Sequence, residues 1–277
     1  MAQTHHIRLT RLSAGVDTRA LWAIQPSGNL LVFVHGFGGE SMGTWSHFPA
    51  LLQGRTQTAG WDAVFFGYDG LHTPAAFSAG MLREFLTDFE TNAAWHANQA
   101  LDPSHQRAPF IYQRIAIIGH SLGSIVSREA MCQGLRGSDT WPDKCCLFLF
   151  APAHTGADVI LLVRETLPGS MTALAQSVAQ LFGKFKVLKD LVPGSKALVD
   201  LKQEVELQLR TNRKSAVTAK LVVHANDDRV VRPEDFIRED APLTPVVATH
   251  TSVCKPEDSF LKPLLSLLTA VSRCHPS

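Results

Sequence analysis

The sequence predicts an α/β protein with a mostly parallel central sheet flanked by helices. Two observations lead to this fold class. Short continuous apolar runs recur along the chain, and such runs are typical of strands that are covered on both faces. Segments with apolar residues at helical spacing separate these runs. The 277 residues are enough to bury a large core, so we expect a single domain over residues 1–277.

Strands and helices alternate along most of the sequence. The first thirty residues predict two edge strands in a hairpin or meander. The buried strands that follow correspond to the apolar runs at 30–34, 63–66, 115–118, 146–150, 220–224 and 245–249. Helical spacing predicts the other elements, at 44–53, from 77 to about 103, at 122–130 and at 259–272. A parallel sheet with helical crossovers requires this alternation.

The composition is that of an ordinary globular protein. Lys and Arg number 26 against 25 Asp and Glu, so there is no basic field for binding nucleic acid. The N-terminus lacks the apolar segment of a signal peptide, and no stretch reaches the roughly 18 apolar residues of a membrane span. These features predict a cytoplasmic protein. We expect the cysteines to be reduced thiols without a zinc site, namely Cys132, Cys145, Cys146, Cys254 and Cys274.

The strongest functional motif follows the apolar run at 115–118. The run ends in Gly-His-Ser-Leu-Gly and passes into a segment with helical spacing. This order of strand, sharp turn and helix is that of a nucleophile elbow, with Ser121 on a strained turn. The positions two before and two after the serine, Gly119 and Gly123, must be nearly free of side chain. A Gly-x-Ser-x-Gly string is expected by chance on the order of 0.1 times in this chain. The prediction therefore depends on the apolar run before the motif and the helical spacing after it.

A second glycine-rich loop, His-Gly-Phe-Gly-Gly at residues 35–39, follows the first buried strand. The spacing of dinucleotide and phosphate loops is missing, which disfavours those ligands. In serine hydrolases such a loop supplies one N–H of the oxyanion hole, and the residue after the nucleophile supplies another. We therefore expect the donors to be Phe37 and Leu122.

A nucleophilic serine needs a base within hydrogen-bond reach and a carboxylate that holds the base in the right tautomer. His250 is the expected base because it is the histidine that follows the final predicted strand. Asp227 and Asp228 follow the preceding strand, and only one of two adjacent carboxylates can orient the base. Asp158 is a more distant alternative. The order serine, aspartate, histidine is the one expected of the α/β-hydrolase fold.

The chain resembles the α/β-hydrolase serine esterases and lipases, in particular the serine-esterase group that includes lipase-like and GPI inositol-deacylase-like proteins. The resemblance runs from about residue 30 to the end, and its motifs fix no substrate. Its acid loop resembles the pattern His-Gly-x-x-Asp-x-x-Val with Ala225 in place of glycine, which implies Asp228 as the carboxylate. The motifs that carry it are residues 35–39 with Thr44-Trp45, 119–123, 191–195 with Leu198 and Leu201, and 250–256.

These residues predict hydrolysis of a carboxylic ester through an acyl-enzyme. Ser121 attacks, His250 transfers the proton, Asp228 orients His250, and the amides of Phe37 and Leu122 hold the oxyanion. We expect no metal or organic cofactor. The expected partner is a small-molecule or lipid ester, with transient contact to a membrane surface as a further option and no nucleic acid. The sequence leaves the oligomeric state open.

Two other functions remain open at this point. The same triad could cleave a thioester, an amide or a carbon–carbon bond. Halide or epoxide chemistry on this fold would need a carboxylate nucleophile, and residue 121 is a serine. The alternative of another class is a non-catalytic binding or scaffold protein, because a fold alone does not give a function. Such proteins usually lack one triad residue.

Residues 153–218 interrupt the alternation, since they contain helical patterns and no strand pattern. The apolar residues recur in segments such as Val159–Val163, Leu174–Leu188 and Leu198–Leu209. They are either packing helices or a cap or lid over the site, inserted between the predicted strands 6 and 7. The position of the insertion after a strand that leads to the site favours a lid. We therefore expect an ester with a hydrophobic acyl or lipid part as the substrate.

Overall fold

The computed structural model describes His5 and residues 9–167, 178–211, 214–232, 236–239 and 243–273. Two residues of the sequence predictions, Leu174 in a helical pattern and Cys274 as a reduced thiol, lie outside this described part. Within it, helices cover both faces of one sheet, as the two separate apolar layers below show.

Eight strands form the sheet in the described part of the chain, in the order β1-β2-β4-β3-β5-β6-β7-β8. Every pairing from β4 across to β8 is parallel, whereas β1 pairs with β2, and β2 with β4, in antiparallel fashion. The predicted mostly parallel sheet is confirmed. The strands are β1 (Thr10–Arg11), β2 (Arg19–Leu21), β3 (Asn29–Val34), β4 (Trp61–Phe66), β5 (Arg114–His120), β6 (Cys145–Phe150), β7 (Ala219–Ala225) and β8 (Leu243–Val246).

The helices fall largely where apolar spacing predicts them. The segment 44–53 differs, because it divides into a 3-10 turn and a short α-helix that begins with a proline in its first turn. In the described part the helices are α1 (Phe48–Leu52), α2 (Ala75–Asn98), α3 (Leu122–Arg136), α4 (Val159–Thr166), α5 (Val178–Lys184), α6 (Leu188–Leu191), α7 (Lys196–Gln208), α8 (Lys214–Val217) and α9 (Lys262–Arg273). None of them is long and apolar enough to cross a membrane.

The continuous apolar runs arise because the parallel strands are buried on both faces. In β3, Leu30, Val32 and Val34 belong to the layer that packs under α2 and α3, and Leu31 and Phe33 belong to the opposite layer. Successive side chains of a strand point to opposite faces, so both sets must be apolar here. The helices α4 to α8 lie between β6 and β7 in the chain.

The last strand is shorter than predicted. It ends at Val246 rather than at residue 249, and therefore four positions before His250. It is an edge strand that pairs with β7 alone, and beyond it the side chain of Val247 points to solvent. The chain there follows the loop after β7 instead, through a hydrogen bond of 3.0 Å from the N–H of Asp227 to the carbonyl oxygen of Ala248.

The expectation of five reduced thiols is wrong for Cys146, which is disulfide-bonded. The other described cysteines, Cys132, Cys145 and Cys254, are free and buried. Burial raises the pKa of all three thiols, to about 12 for Cys132 and Cys254. A buried neutral thiol behaves as a small apolar group, so these three residues belong to the packing.

Candidate active site

The turn between β5 and α3 holds Ser121 in a strained conformation. Its backbone has φ of 53° and ψ of −120°, a region that residues with a side chain rarely occupy. The surroundings hold it there, because its N–H donates to the carbonyl oxygen of Phe150 at 3.0 Å and its own carbonyl accepts from Ser124 at 3.0 Å. The hydroxyl of Ser124 also donates to the carbonyl oxygen of Gly119. The turn therefore presents the serine side chain beyond the end of the strand.

The two glycines around the serine are needed for the close approach of strand and helix. A Cβ on Gly119 would stand 2.7 Å from the Cα of Ser124, and a Cβ on Gly123 would stand 2.2 Å from the carbonyl oxygen of Val34. Both distances are far below a van der Waals contact, and the atoms that would have to move are backbone atoms. The physical argument that the sequence suggested for these positions is thus met in the structure.

The structure brings Ser121, His250 and Asp228 into one hydrogen-bonded chain. The Oγ of Ser121 lies 2.9 Å from Nε2 of His250, and Nδ1 of His250 lies 2.8 Å from Oδ2 of Asp228. The side chains of His250 and Asp228 are almost fully buried. Because an ionised carboxylate can only accept, Nδ1 carries the proton in this chain, and Nε2 is free to accept the serine proton.

The environment of Asp228 keeps its carboxylate charged. Burial alone would raise the pKa of Asp228, but the hydrogen bond and charge of His250 and the N–H groups of Val230 and Val231 oppose burial and lower the pKa below its usual value. The two amides donate to Oδ1 at 2.8 and 2.9 Å. Each carboxylate oxygen therefore has its own partners, so the side chain is held in one orientation.

The two alternative carboxylates lie elsewhere. Asp227 is exposed, and its backbone N–H bonds to the strand-end segment before His250. Asp158 caps α4, where its Oδ1 accepts from the N–H groups of Ile160 and Leu161 at 3.1 and 3.0 Å. Its own N–H donates to the carbonyl oxygen of Val230, which ties the start of α4 to the loop that carries Asp228.

The predicted oxyanion donors flank the serine. Leu122 is the first residue of α3, so its N–H has no acceptor within the helix. Phe37 follows Gly36, and a Cβ on Gly36 would lie only 2.9 Å from the Cβ of Ser121. The loop of residues 35–39 therefore lies directly against the turn that holds the nucleophile.

The loop of residues 35–39 is anchored by a partner that the sequence analysis did not identify. The hydroxyl of Tyr68 donates to the carbonyl oxygen of His35 at 2.8 Å, and the N–H of Tyr68 donates to Nε2 of the same histidine at 3.3 Å. The two rings stack with their centroids 4.3 Å apart. Burial lowers the pKa of His35 to about 4, so the ring is neutral and can accept from Tyr68. The feature of the sequence that could indicate this contact is the position of Tyr68 just after a buried strand.

His120 makes a second contact that the sequence analysis does not identify. Its Nε2 lies 2.9 Å from the carbonyl oxygen of His250, to which it must donate. Burial, followed by the nearby His250, lowers the pKa of His120 to about 3. The ring is therefore neutral, with its proton on Nε2 and a lone pair on Nδ1. Among the described residues Nδ1 has no hydrogen-bond partner.

The helical insertion borders this site. The ring of Phe185 meets the ring of Phe37 edge to face, with centroids 5.7 Å apart. The side chain of Leu167 packs over Gly38, 3.2 Å from the position that a Cβ would take. A cavity of about 570 Å³ runs between the insertion and the loop after β7, with Phe182 among its walls. No cluster of metal-binding side chains occurs in the described ranges.

The structure is similar to solved structures of lipases and other α/β-hydrolases, which establishes the α/β-hydrolase fold. The mature form of a Bacillus licheniformis lipase gives a TM-score of 0.53 at 14% identity, over 88% of this chain and 92% of the lipase. A monoacylglycerol lipase from Paleococcus ferrophilus gives 0.52 at 15% identity, over 96% and 100%. A peroxisomal α/β-hydrolase from Saccharomyces cerevisiae gives 0.52 at 11% identity, over 98% and 84%. The sequence matches no protein-family model and no curated protein.

Proposed function

We propose that this protein is a serine hydrolase that cleaves carboxylic esters through an acyl-enzyme. The observation that carries the proposal is the hydrogen-bonded chain from Ser121 through His250 to Asp228, built on a strained turn. A buried histidine with its proton fixed on Nδ1 can act as a base only at Nε2, and that atom faces the serine hydroxyl. This arrangement has no evident purpose in packing.

The geometry suits nucleophilic attack in the following way. As Oγ of Ser121 bonds to the ester carbonyl carbon, its proton moves to Nε2 of His250, and Asp228 stabilises the imidazolium that forms. The negative charge on the former carbonyl oxygen is held by the N–H groups of Phe37 and Leu122. The tetrahedral intermediate then collapses, the alcohol leaves with the proton from Nε2, and the acyl group stays on Ser121.

Deacylation repeats these steps with water as the nucleophile. His250 takes a proton from the water, the new tetrahedral intermediate uses the same two N–H groups, and Ser121 leaves with the proton from Nε2. The products are the carboxylic acid and the free enzyme. The residues of this chain suffice for every bond that is formed or broken in the cycle.

The insertion of residues 153–218 serves in this proposal as a lid that lines a site for a hydrophobic acyl group. Its support is the contact of Phe185 with Phe37 and the packing of Leu167 over the loop of residues 35–39. Apolar side chains beside the reacting carbonyl remove water and strengthen the charged contacts of the transition state. The cytoplasmic location and the resemblance to GPI inositol-deacylase-like proteins stay predictions.

The test of this proposal combines a reactive probe with one substitution. We expect a fluorophosphonate to add once to the purified protein, with the adduct on Ser121 by mass spectrometry, and to react poorly with Ser121→Ala. Ester hydrolysis by Ser121→Ala should fall by about 10⁶-fold in kcat, as in serine hydrolases from which the nucleophile is removed. Ser104→Ala, at an exposed position before β5, is the matched control and should keep full activity.

Three results would contradict parts of the proposal. A protein that neither reacts with the probe nor cleaves any ester would be the non-catalytic alternative. A protein that hydrolyses amides or thioesters in strong preference to oxygen esters of the same acyl group would use the same triad on a different bond. This result would contradict the proposed substrate class. Substantial ester hydrolysis by Ser121→Ala would exclude Ser121 as the nucleophile.

A further inference from the structure

A second cavity beside the serine is lined mainly by polar groups. Its volume is about 280 Å³, near the lower end of ligand sites, which start at roughly 300 Å³. It touches the loop of residues 35–39 and the neighbours of two triad residues, His120 and Thr251. Its wall residue Gly36 is the one that lies against Ser121. The cavity therefore opens where one end of a bound ester would lie.

The side chains that line this cavity include more carboxylates than ammonium groups. The charged residues are two carboxylates, Glu40 and Glu165, and one ammonium group, Lys255. The remaining polar side chains are hydroxyls, a thiol and the imidazole of His120. Nε2 of His120 donates to the carbonyl oxygen of His250, so the acceptor of this ring that has no partner in the described part of the chain is Nδ1. His120 is 5% exposed, so this acceptor is buried. A hydrocarbon chain in the cavity would leave it unpaired.

Glu165 is the second buried acceptor without a partner. Its Oε2 is buried and has no hydrogen bond in the described part of the chain. The residue lies in the last turn of α4, where the helix dipole disfavours a negative charge. A carboxylate in this position opposes the local preference of its helix, and one of its oxygens is buried without a partner in the described part of the chain. A residue that conflicts in this way with its local structure is expected where it binds a ligand.

We propose that this cavity binds the alcohol part of the substrate and that this alcohol carries at least one free hydroxyl group, which donates to Glu165. The inference rests on the proposed function, because only an ester hydrolase has an alcohol part to recognise. A hydroxyl bound to a carboxylate makes a charge-assisted hydrogen bond, and a second hydroxyl could donate to Nδ1 of His120. The acyl chain then packs against apolar side chains of the insertion, such as Phe185 and Leu167.

The experiment compares three octanoate esters that differ only in the alcohol: 2,3-dihydroxypropyl, propyl and 2-(trimethylammonio)ethyl. We expect the wild-type protein to favour the dihydroxypropyl ester over the propyl ester by roughly 10- to 100-fold in kcat/KM, because the propyl ester leaves a buried acceptor unpaired. Glu165→Met, which keeps the length and removes the oxygens, should abolish this preference by lowering kcat/KM for the dihydroxypropyl ester much more than for the propyl ester. Glu165→Gln retains an acceptor oxygen and should keep most of the preference.

Arg164→Ala is the matched control, since it changes an exposed neighbour on the same turn of α4. It should leave the ratio of the two rates unaltered. Equal rates for the dihydroxypropyl and propyl esters in the wild-type protein would overturn the inference without any variant, as would a preference that survives in Glu165→Met. A preference for the ammonium ester that is lost in Glu165→Gln would assign a cation to the cavity instead. Failure to cleave all three esters would refute the proposed function itself.

Discussion

At the scale of single residues, the site depends on side chains that hydrogen bonds hold in one orientation. Asp228 is the clearest case, because Oδ1 accepts from two backbone N–H groups and Oδ2 accepts from His250. The carboxylate thus cannot rotate without losing hydrogen bonds. His120 differs, because Nε2 donates to the carbonyl oxygen of His250 and Nδ1 has no partner in the described part of the chain. Fixed orientation is what allows such residues to set the tautomer of a neighbour.

Asp228→Asn should be far more damaging to activity than Asp227→Asn. The amides of Val230 and Val231 need an acceptor, so an asparagine side chain at this position must turn its oxygen to them and its NH₂ group to His250. Nδ1 of His250 would then have to accept, which moves the ring proton to Nε2 and removes the base from Ser121. The equivalent change in a serine protease lowers kcat by about 10⁴-fold.

Asp227 is the matched control for this prediction, because it has the same chemistry one residue away and its side chain is exposed. The measurement is kcat for a short ester with both variants, after thermal unfolding has shown that both are folded. Equal losses in the two variants, or a larger loss in Asp227→Asn, would mean that Asp228 does not orient the base.

At the scale of elements, the sequence predicts best what depends on neighbours along the chain. The buried strands and the glycines of the turn after β5 follow from local demands, and the structure has them. The sequence predicts the end of β8 too late because an apolar residue such as Val247 is typical of a strand, whereas its burial depends on which loop packs beside it. Sequence reasoning misses Tyr68 for the same reason, since its partner His35 lies 33 residues away in the chain. It misses Glu165 because the cavity that this residue lines is formed by several separate segments.

The insertion between β6 and β7 is an element whose role can be tested by chain length. Phe182 is half-buried in the wall of the larger cavity, and Phe185 is buried against Phe37. If they line an acyl site, Phe182→Ser and Phe185→Ser should weaken kcat/KM for long-chain esters and spare short-chain ones. The expected loss is about 0.8 kcal/mol for each methylene group that is no longer buried.

Leu265→Ser serves as the control for general damage, since it replaces a half-exposed leucine on α9, the helix that packs against the other face of the sheet. Initial rates for esters of two to twelve acyl carbons would be compared in the three variants. An insertion that only packs against the domain would lower thermal stability in the phenylalanine variants and leave the ratio of long-chain to short-chain rates unchanged. A flat chain-length profile for the wild-type protein would exclude a hydrophobic acyl site.

At the scale of the whole molecule, the candidate site is assembled from the loops at one edge of the parallel sheet. The loops after β3, β5, β7 and β8 supply the residues that meet there. This placement brings several histidines into the interior, and His35, His120 and His154 are among those that are almost fully buried. Because these rings are packed away from water, the fold can hold them only in the neutral form.

Stability should therefore fall steeply as the pH drops from 7 to 5. Burial lowers the pKa of His35 to about 4 and of His120 to about 3, and burial together with the nearby Arg128 lowers the pKa of His154 well below its usual value. Unfolded histidine has a pKa of about 6.5, so below that pH the unfolded chain takes up protons that the folded chain refuses. Each histidine then costs about 2 kcal/mol by pH 5, which for three is comparable to the whole stability of about 5–15 kcal/mol.

Urea unfolding at pH 7.5 and at pH 5 measures this loss. Asp228 does not contribute in that window, because its lowered pKa yields stability that is lost only as the pH falls below about 4. His154→Gln should reduce the pH dependence by the share of one histidine, whereas His47→Gln, at an exposed position, should leave it unchanged. Equal stability at the two pH values would show that the interior accepts protonated histidines. If the free energy of unfolding of His154→Gln changes with pH as much as that of the wild-type protein, His154 does not contribute to the loss.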